Sequence, residues 1–288
     1  PHEHRPAGRP TTTTPLTPAL AAEGAAFGTG NGWERIEYIK PTPDFTETHS
    51  FRFSEAHAVI RDEVLAVQNG VGLSEVSGFN RFEITGADKH DFLDRMICGH
   101  VTRKPSRVGL GYLLNHHGMG KGEATVANLP ASPNGPDRIW YGSAAASEQH
   151  DMDWLTDHIE PQEDVQIKSL TNDWTILVLA GPESRDVMSA AARGDWSADA
   201  FPWLSVREAF IGIAPAIVMG VSFSGELAYE IHVPNAQLYA AYLALRAAGE
   251  PHGLRLFGSR AIESMRLEKG FMHWKGDLLT EFDPFETA

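Results

Sequence analysis

Apolar residues recur at helical spacing over residues 55–69, where Ala56, Val59, Ile60, Val64 and Val67 share one face. Ser54, just before them, is the candidate N-cap. Phe79 to Ile84 alternates apolar and polar, which predicts a half-buried strand. A helix is predicted over 87–97, with Phe92, Leu93 and Met96 inward. Strands follow at 111–115 and 123–128 across a glycine-rich turn (Gly118, Gly120, Gly122), then around Ile139–Tyr141. Further helices are expected near 147–159, 184–192, 236–248 and 258–269. Further strands are expected at 175–179, 205–210, 215–223 and 228–233. This mixture lacks strict βαβ alternation, which favours an α+β fold with antiparallel sheets and packed helices. The expected organisation is an extended N-terminal segment (1–50) held by Phe27, Trp33 and Tyr38, then two α+β regions, 51–170 and 171–288.

Composition sharpens what the chain does. Of 288 residues, 42% are hydrophobic and 22% charged, as in a globular protein. The formal net charge of −14 repels phosphate backbones and anionic membrane surfaces, so neither nucleic acid nor membrane is an expected partner. No apolar run approaches the ~20 residues that span a bilayer, and positions 1–20 lack a signal-peptide core. The one cysteine, Cys98, excludes an internal disulfide and is expected to be a small buried residue. Two glycine clusters, Gly28–Gly32 and Gly118–Gly122, do not fit the dinucleotide fingerprint. The first is read as part of an irregular segment and the second as a hairpin turn. His116 and His117 point to opposite faces if extended, so a solvated turn is expected there rather than a metal.

Several blocks, in order, carry a family likeness. Gly24-Ala25-Ala26-Phe27-Gly28 with Gly32-Trp33-Glu34-Arg35 comes first. Val71-Gly72-Leu73-Ser74-Glu75-Val76-Ser77, expected as a turn, and Gly111-Tyr112-Leu113-Leu114-Asn115 follow. Then come Ala180-Gly181-Pro182-Glu183-Ser184-Arg185, Ser222-Phe223-Ser224-Gly225-Glu226-Leu227-Ala228-Tyr229-Glu230, and Met265-Arg266-Leu267-Glu268-Lys269-Gly270 with Trp274. Together they resemble the aminomethyltransferase (glycine-cleavage T-protein)-like, folate-binding region of the dimethylglycine and sarcosine dehydrogenase family, over about residues 24–288.

The resemblance implies a domain or subunit that binds tetrahydrofolate and passes it a one-carbon unit. It would act with a flavin-dependent amine dehydrogenase, and FAD would reside on that partner domain or subunit. It implies a cytoplasmic protein, or a mitochondrial matrix protein if eukaryotic. A carboxylate can accept two parallel hydrogen bonds from a pterin edge, and the family position for it is Glu226. Tyr112 and Tyr229 fall where the family packs aromatics around the ligand, although core packing explains them equally. Arg266 faces either the ligand or a structural carboxylate such as Glu263 or Glu268. The carboxylate beside the reacting nitrogen, an Asp in the family, is Glu123 here, and the family's Tyr before the Gly-Glu turn is Phe223. Those two departures, with a terminal β-rich domain expected to be missing after Phe282–Ala288, leave open a non-catalytic scaffold; a folate-dependent demethylase of another methyl donor in the same superfamily is a further alternative. No metal is expected.

Overall fold

The computed structural model describes residues 6–48, 51–99, 101–274, 276–278, 280–283 and 285–286. The chain opens with α1 (Thr17–Ala22), β1 (Ala25–Gly30) and β2 (Trp33–Ile39). Then follow α2 (Ala56–Asn69), β3 (Gly72–Val76), β4 (Phe79–Thr85), α3 (Lys89–Met96), β5 (Ile97–Cys98), β6 (Val108–Leu114), β7 (Gly120–Leu129), β8 (Arg138–Ala144), α4 (Glu148–Asp157) and β9 (Gln166–Ser169). The remainder is β10 (Trp174–Ala180), α5 (Ser184–Ala191), β11 (Val206–Ile211), β12 (Ala214–Met219), β13 (Ala228–Pro234), α6 (Leu238–Gly249), β14 (Arg255–Leu256) and α7 (Ser259–Glu268).

Beside the β1–β2 hairpin stand two six-stranded sheets, ordered β11-β12-β13-β10-β3-β14 and β5-β6-β7-β8-β4-β9. All pairings are antiparallel except β14 with β3, so the structure has the expected α+β character. Strand alternation gives each sheet two apolar faces. In the first sheet, Leu177, Leu179, Tyr229, Ile231 and Val233 point to a core shared with Val187 of α5 and Leu238 and Leu245 of α6. In the second, Phe82, Ile84, Val126 and Tyr141 pack on Phe92 and Leu93 of α3 and Leu155 of α4. The other faces meet through Ala127, Leu129, Trp140, Ile217 and Met219. There the Trp140 indole N–H donates to His232 Nδ1 at 3.2 Å. Helices α2 and α7 cover the rest of the first sheet, with Val67, Ala261 and Met265 against Ala180 and Ala228.

Four local expectations change. The Gly28–Gly32 stretch is ordered: Asn31 (φ 56°) and Gly32 (φ 82°) form the two-residue left-handed turn that closes β1 on β2. The 1–50 segment is therefore a hairpin plus a helix over much of its length, with Trp33 and Tyr38 buried as expected. Residues 72–76 are a strand, not a turn. That strand joins the first sheet while β4 joins the second, with Gly78 (φ 87°) at the crossover, so α2 and β3 belong with the elements after 171. Ser54 caps nothing with its side chain, since its hydroxyl donates to Glu47. Cys98 is exposed, because β5 is the outer strand of its sheet. The Gly118–Gly122 turn is a hairpin connection, held by Asn115 Oδ1 accepting from His117 N (2.9 Å) and Met119 N (3.1 Å). No helix among the described residues is long and apolar enough to cross a membrane.

Candidate functional site

Glu123 lies on β7 directly opposite Tyr112 on β6, on the face that meets the first sheet. Ala124 and Val126, the alternate residues, fill the other face. Burial pushes the Glu123 carboxyl up to about 7. No described side chain or backbone N–H donates to it. Tyr112 is 37% exposed. Burial first, and the Glu123 charge second, push its phenol up. A half-ionised carboxylate beside a part-exposed aromatic can bind a ring and exchange a proton near neutral pH.

Glu226 sits in the turn before β13. Gly225 there has φ +79°, a backbone conformation that favours glycine, and a Cβ on it would also make the Lys269 side chain shift. Ser222 Oγ accepts from Gly225 N at 3.0 Å and Ser224 Oγ from Glu226 N at 3.4 Å, which fixes the turn. The Glu226 carboxylate is part exposed and meets Lys269 Nζ at 3.6 Å, just after α7. Phe223, 36% exposed, lies three residues before Glu226 with its ring 6.1 Å from that of His273.

Arg266 is committed within the protein. Its guanidinium is buried, donates to Phe271 O at 2.9 Å, and pairs with Glu263 and Asp277. It ties the end of α7 to the 271–277 segment, so of the two expectations the structural carboxylates hold it, Asp277 among them. Tyr229 is also placed in the interior. Tyr229 lies on β13 itself, on the face it shares with Ile231 and Val233. Tyr229 is 1% exposed and stacks on Phe201 at 5.9 Å, edge-on to Trp196 at 6.0 Å. It offers no surface to a ligand.

Sequence reasoning singled out neither Arg35 nor His273. The signal for Arg35 was the Asn31-Gly32 turn, which makes its neighbourhood a strand. Trp274 packs on Ala144 and Leu278, and Gly120 N at the head of β7 donates to Phe282 O at 3.0 Å. Two C-terminal residues touch these neighbourhoods: the His273 ring lies by Phe223 in the Glu226 turn, and Phe282 bonds the head of the strand that carries Glu123. Among the described residues no group of His, Cys, Asp and Glu could hold a metal ion.

The family model of the GCVT N-terminal domain matches residues 16–288. This chain belongs to that family. It is 29% identical to sarcosine dehydrogenase, mitochondrial, of Homo sapiens over 324 residues, covering 100% of this chain and 35% of that protein. It is 28% identical to dimethylglycine dehydrogenase, mitochondrial, of Rattus norvegicus over 290 residues, covering 100% of this chain and 33% of that protein. The chain therefore spans about a third of the length of these relatives. The solved glycine cleavage system aminomethyltransferase T from Bartonella henselae shares the fold, with a TM-score of 0.77 at 20% identity, covering 96% of this chain and 67% of that one.

Proposed function

We propose that this GCVT-family chain binds tetrahydrofolate and assists transfer of a one-carbon unit to it, in concert with a flavin-dependent amine dehydrogenase domain or subunit. The observation that carries this reading is two carboxylates near part-exposed aromatics: Glu226, three residues after Phe223, and the largely buried Glu123, across the ladder from Tyr112. That donor-poor, acceptor-rich set suits a flat ring with N–H groups on its edge. Glu226 would accept two parallel hydrogen bonds from the amino-pyrimidine edge, a charge-assisted arrangement. Phe223 and Tyr112 would cover the ring faces. Tetrahydrofolate supplies a nucleophilic nitrogen for an iminium-like carbon. Glu123, with its carboxyl pushed up to about 7, would orient that amine and accept its proton.

A second reading, a binding scaffold without transfer, is favoured by one observation: Glu123 stands where the family uses Asp. Glu123→Asp separates the two. The direct test is formaldehyde-dependent formation of methylene-tetrahydrofolate, measured above the uncatalysed rate. Catalysis that is present in the wild type and lost in Glu123→Gln supports transfer. A wild-type rate equal to the uncatalysed rate, restored by Glu123→Asp, supports the scaffold.

A further inference from the structure

Arg35 has an unusual position for an interior arginine. Its half-buried guanidinium makes no hydrogen bond and no ion pair with any described residue. Burial is the main influence on it and lowers its pKa. Its Cζ lies 5.7 Å from the centre of the Phe79 ring. Phe79 pairs in register with Ala144, and Ala144 packs on Trp274. Arg35 acts electrostatically on His273, whose ring faces Phe223 beside the Glu226 turn. The arrangement is built in: a Cβ at Gly30 would lie 2.6 Å from Arg35 Cδ, so glycine leaves room for the side chain across β1.

The surrounding charges do not use up the fork. Glu75 and Glu263 both favour its charged form, but neither pairs with it. Glu263 pairs with Arg266, and so does Asp277. Glu75 is fully buried, and burial pushes it up to about 8, so at neutral pH it is mostly uncharged. Five N–H donors in a planar fork, partly desolvated and unpaired, match a carboxylate.

We propose that Arg35 receives a carboxylate of the ligand bound at the Glu226–Glu123 site. The inference rests on the folate reading above. The carboxylate has two chemical sources: the glutamyl tail of tetrahydrofolate, or an N-methyl amino acid that supplies the one-carbon unit.

The experiment is calorimetric titration of the 288-residue chain and of Arg35→Gln with three probes. They are tetrahydrofolate, a tetrahydropterin without the benzoyl-glutamate tail, and N-methylglycine. Loss of one charge-assisted pair predicts weakening by about 10- to 100-fold. Weakened tetrahydrofolate with unchanged tetrahydropterin assigns Arg35 to the folate tail. Unchanged folate and pterin with lost N-methylglycine assigns it to the donor. Arg35→Gln affinities equal to wild type for every probe that binds overturn the inference. Wild-type failure to bind tetrahydrofolate overturns the folate reading alone if N-methylglycine binds through Arg35, and overturns both if no probe binds. Arg35→Lys, which keeps the charge but not the fork, guards against misfolding. Its binding falls between wild type and Arg35→Gln if the fork matters, and full wild-type affinity in Arg35→Lys argues against bidentate capture.

Discussion

Glu63 couples the two elements that frame the site. Its buried carboxylate accepts from Ile39 N at 2.6 Å, at the end of β2, and from Gly258 N at 3.0 Å, at the start of α7. Strand β2 carries Arg35, and α7 leads to Arg266 and Lys269. Burial outweighs the two hydrogen bonds and pushes the carboxyl up to about 7. Moving a carboxyl from its ordinary 4.5 to about 7 corresponds to ~3 kcal/mol between its two protonation states. Between those values the folded chain binds more protons at this position than the unfolded chain. Its contribution to stability is therefore fully present below about pH 4.5 and is lost as pH rises through about 7. Glu63→Gln removes the titration but leaves one buried N–H without an acceptor, which costs about 1–3 kcal/mol. At pH 5 the variant should unfold lower by several degrees, at roughly 2–4 °C per kcal/mol. By pH 8 the wild type also pays for a buried charge, so the gap should close or reverse. Thermal denaturation of both proteins from pH 5 to 8.5 measures this. Glu75 and Glu123 titrate in the same direction but contribute equally to both proteins, so the difference isolates Glu63. A gap that stays constant over that range would refute the reasoning.

Three further outcomes follow from the site geometry. Glu226→Gln should weaken tetrahydrofolate binding by about 10- to 100-fold, because one charge-assisted acceptor becomes a donor; equal affinity in an equilibrium titration removes Glu226 from the pterin. Glu123→Gln should lower transfer by about 10²- to 10⁴-fold with little change in folate affinity. The wild-type rate should rise with pH through about 7, where the base form accumulates, and the variant's rate should be flat. Arg266→Ala should cost about 1–3 kcal/mol, seen as a lower urea midpoint, because it frees Glu263, Asp277 and Phe271 O together; a midpoint equal to wild type would show that the tie is not structural.

Much of this was legible from residue order. The β6–β7 hairpin follows from two β-rich runs around a glycine turn, and that hairpin sets Glu123 against Tyr112. Helices α2, α3, α6 and α7 announce themselves by apolar spacing. What stayed hidden has specific causes. The β3 strand is short and carries Ser74 and Glu75, whose burial depends on a neighbour from another part of the chain. The family likeness puts Tyr229 among aromatics around the ligand or in the core, and strand alternation sends it into the α5–α6 core. Arg266 could not be resolved by spacing alone, since Asp277 reaches it only through the fold of the 271–277 segment. Arg35 escaped notice because its hairpin was read as irregular.

The most direct measurement is calorimetric titration of the 288-residue chain with tetrahydrofolate, beside the same titration of Glu226→Ala. Saturable one-site binding with a dissociation constant below about 1 mM, lost or strongly weakened in Glu226→Ala, is the expected result. No binding heat at millimolar ligand, or equal binding by the two proteins, would contradict a folate site built on Glu226.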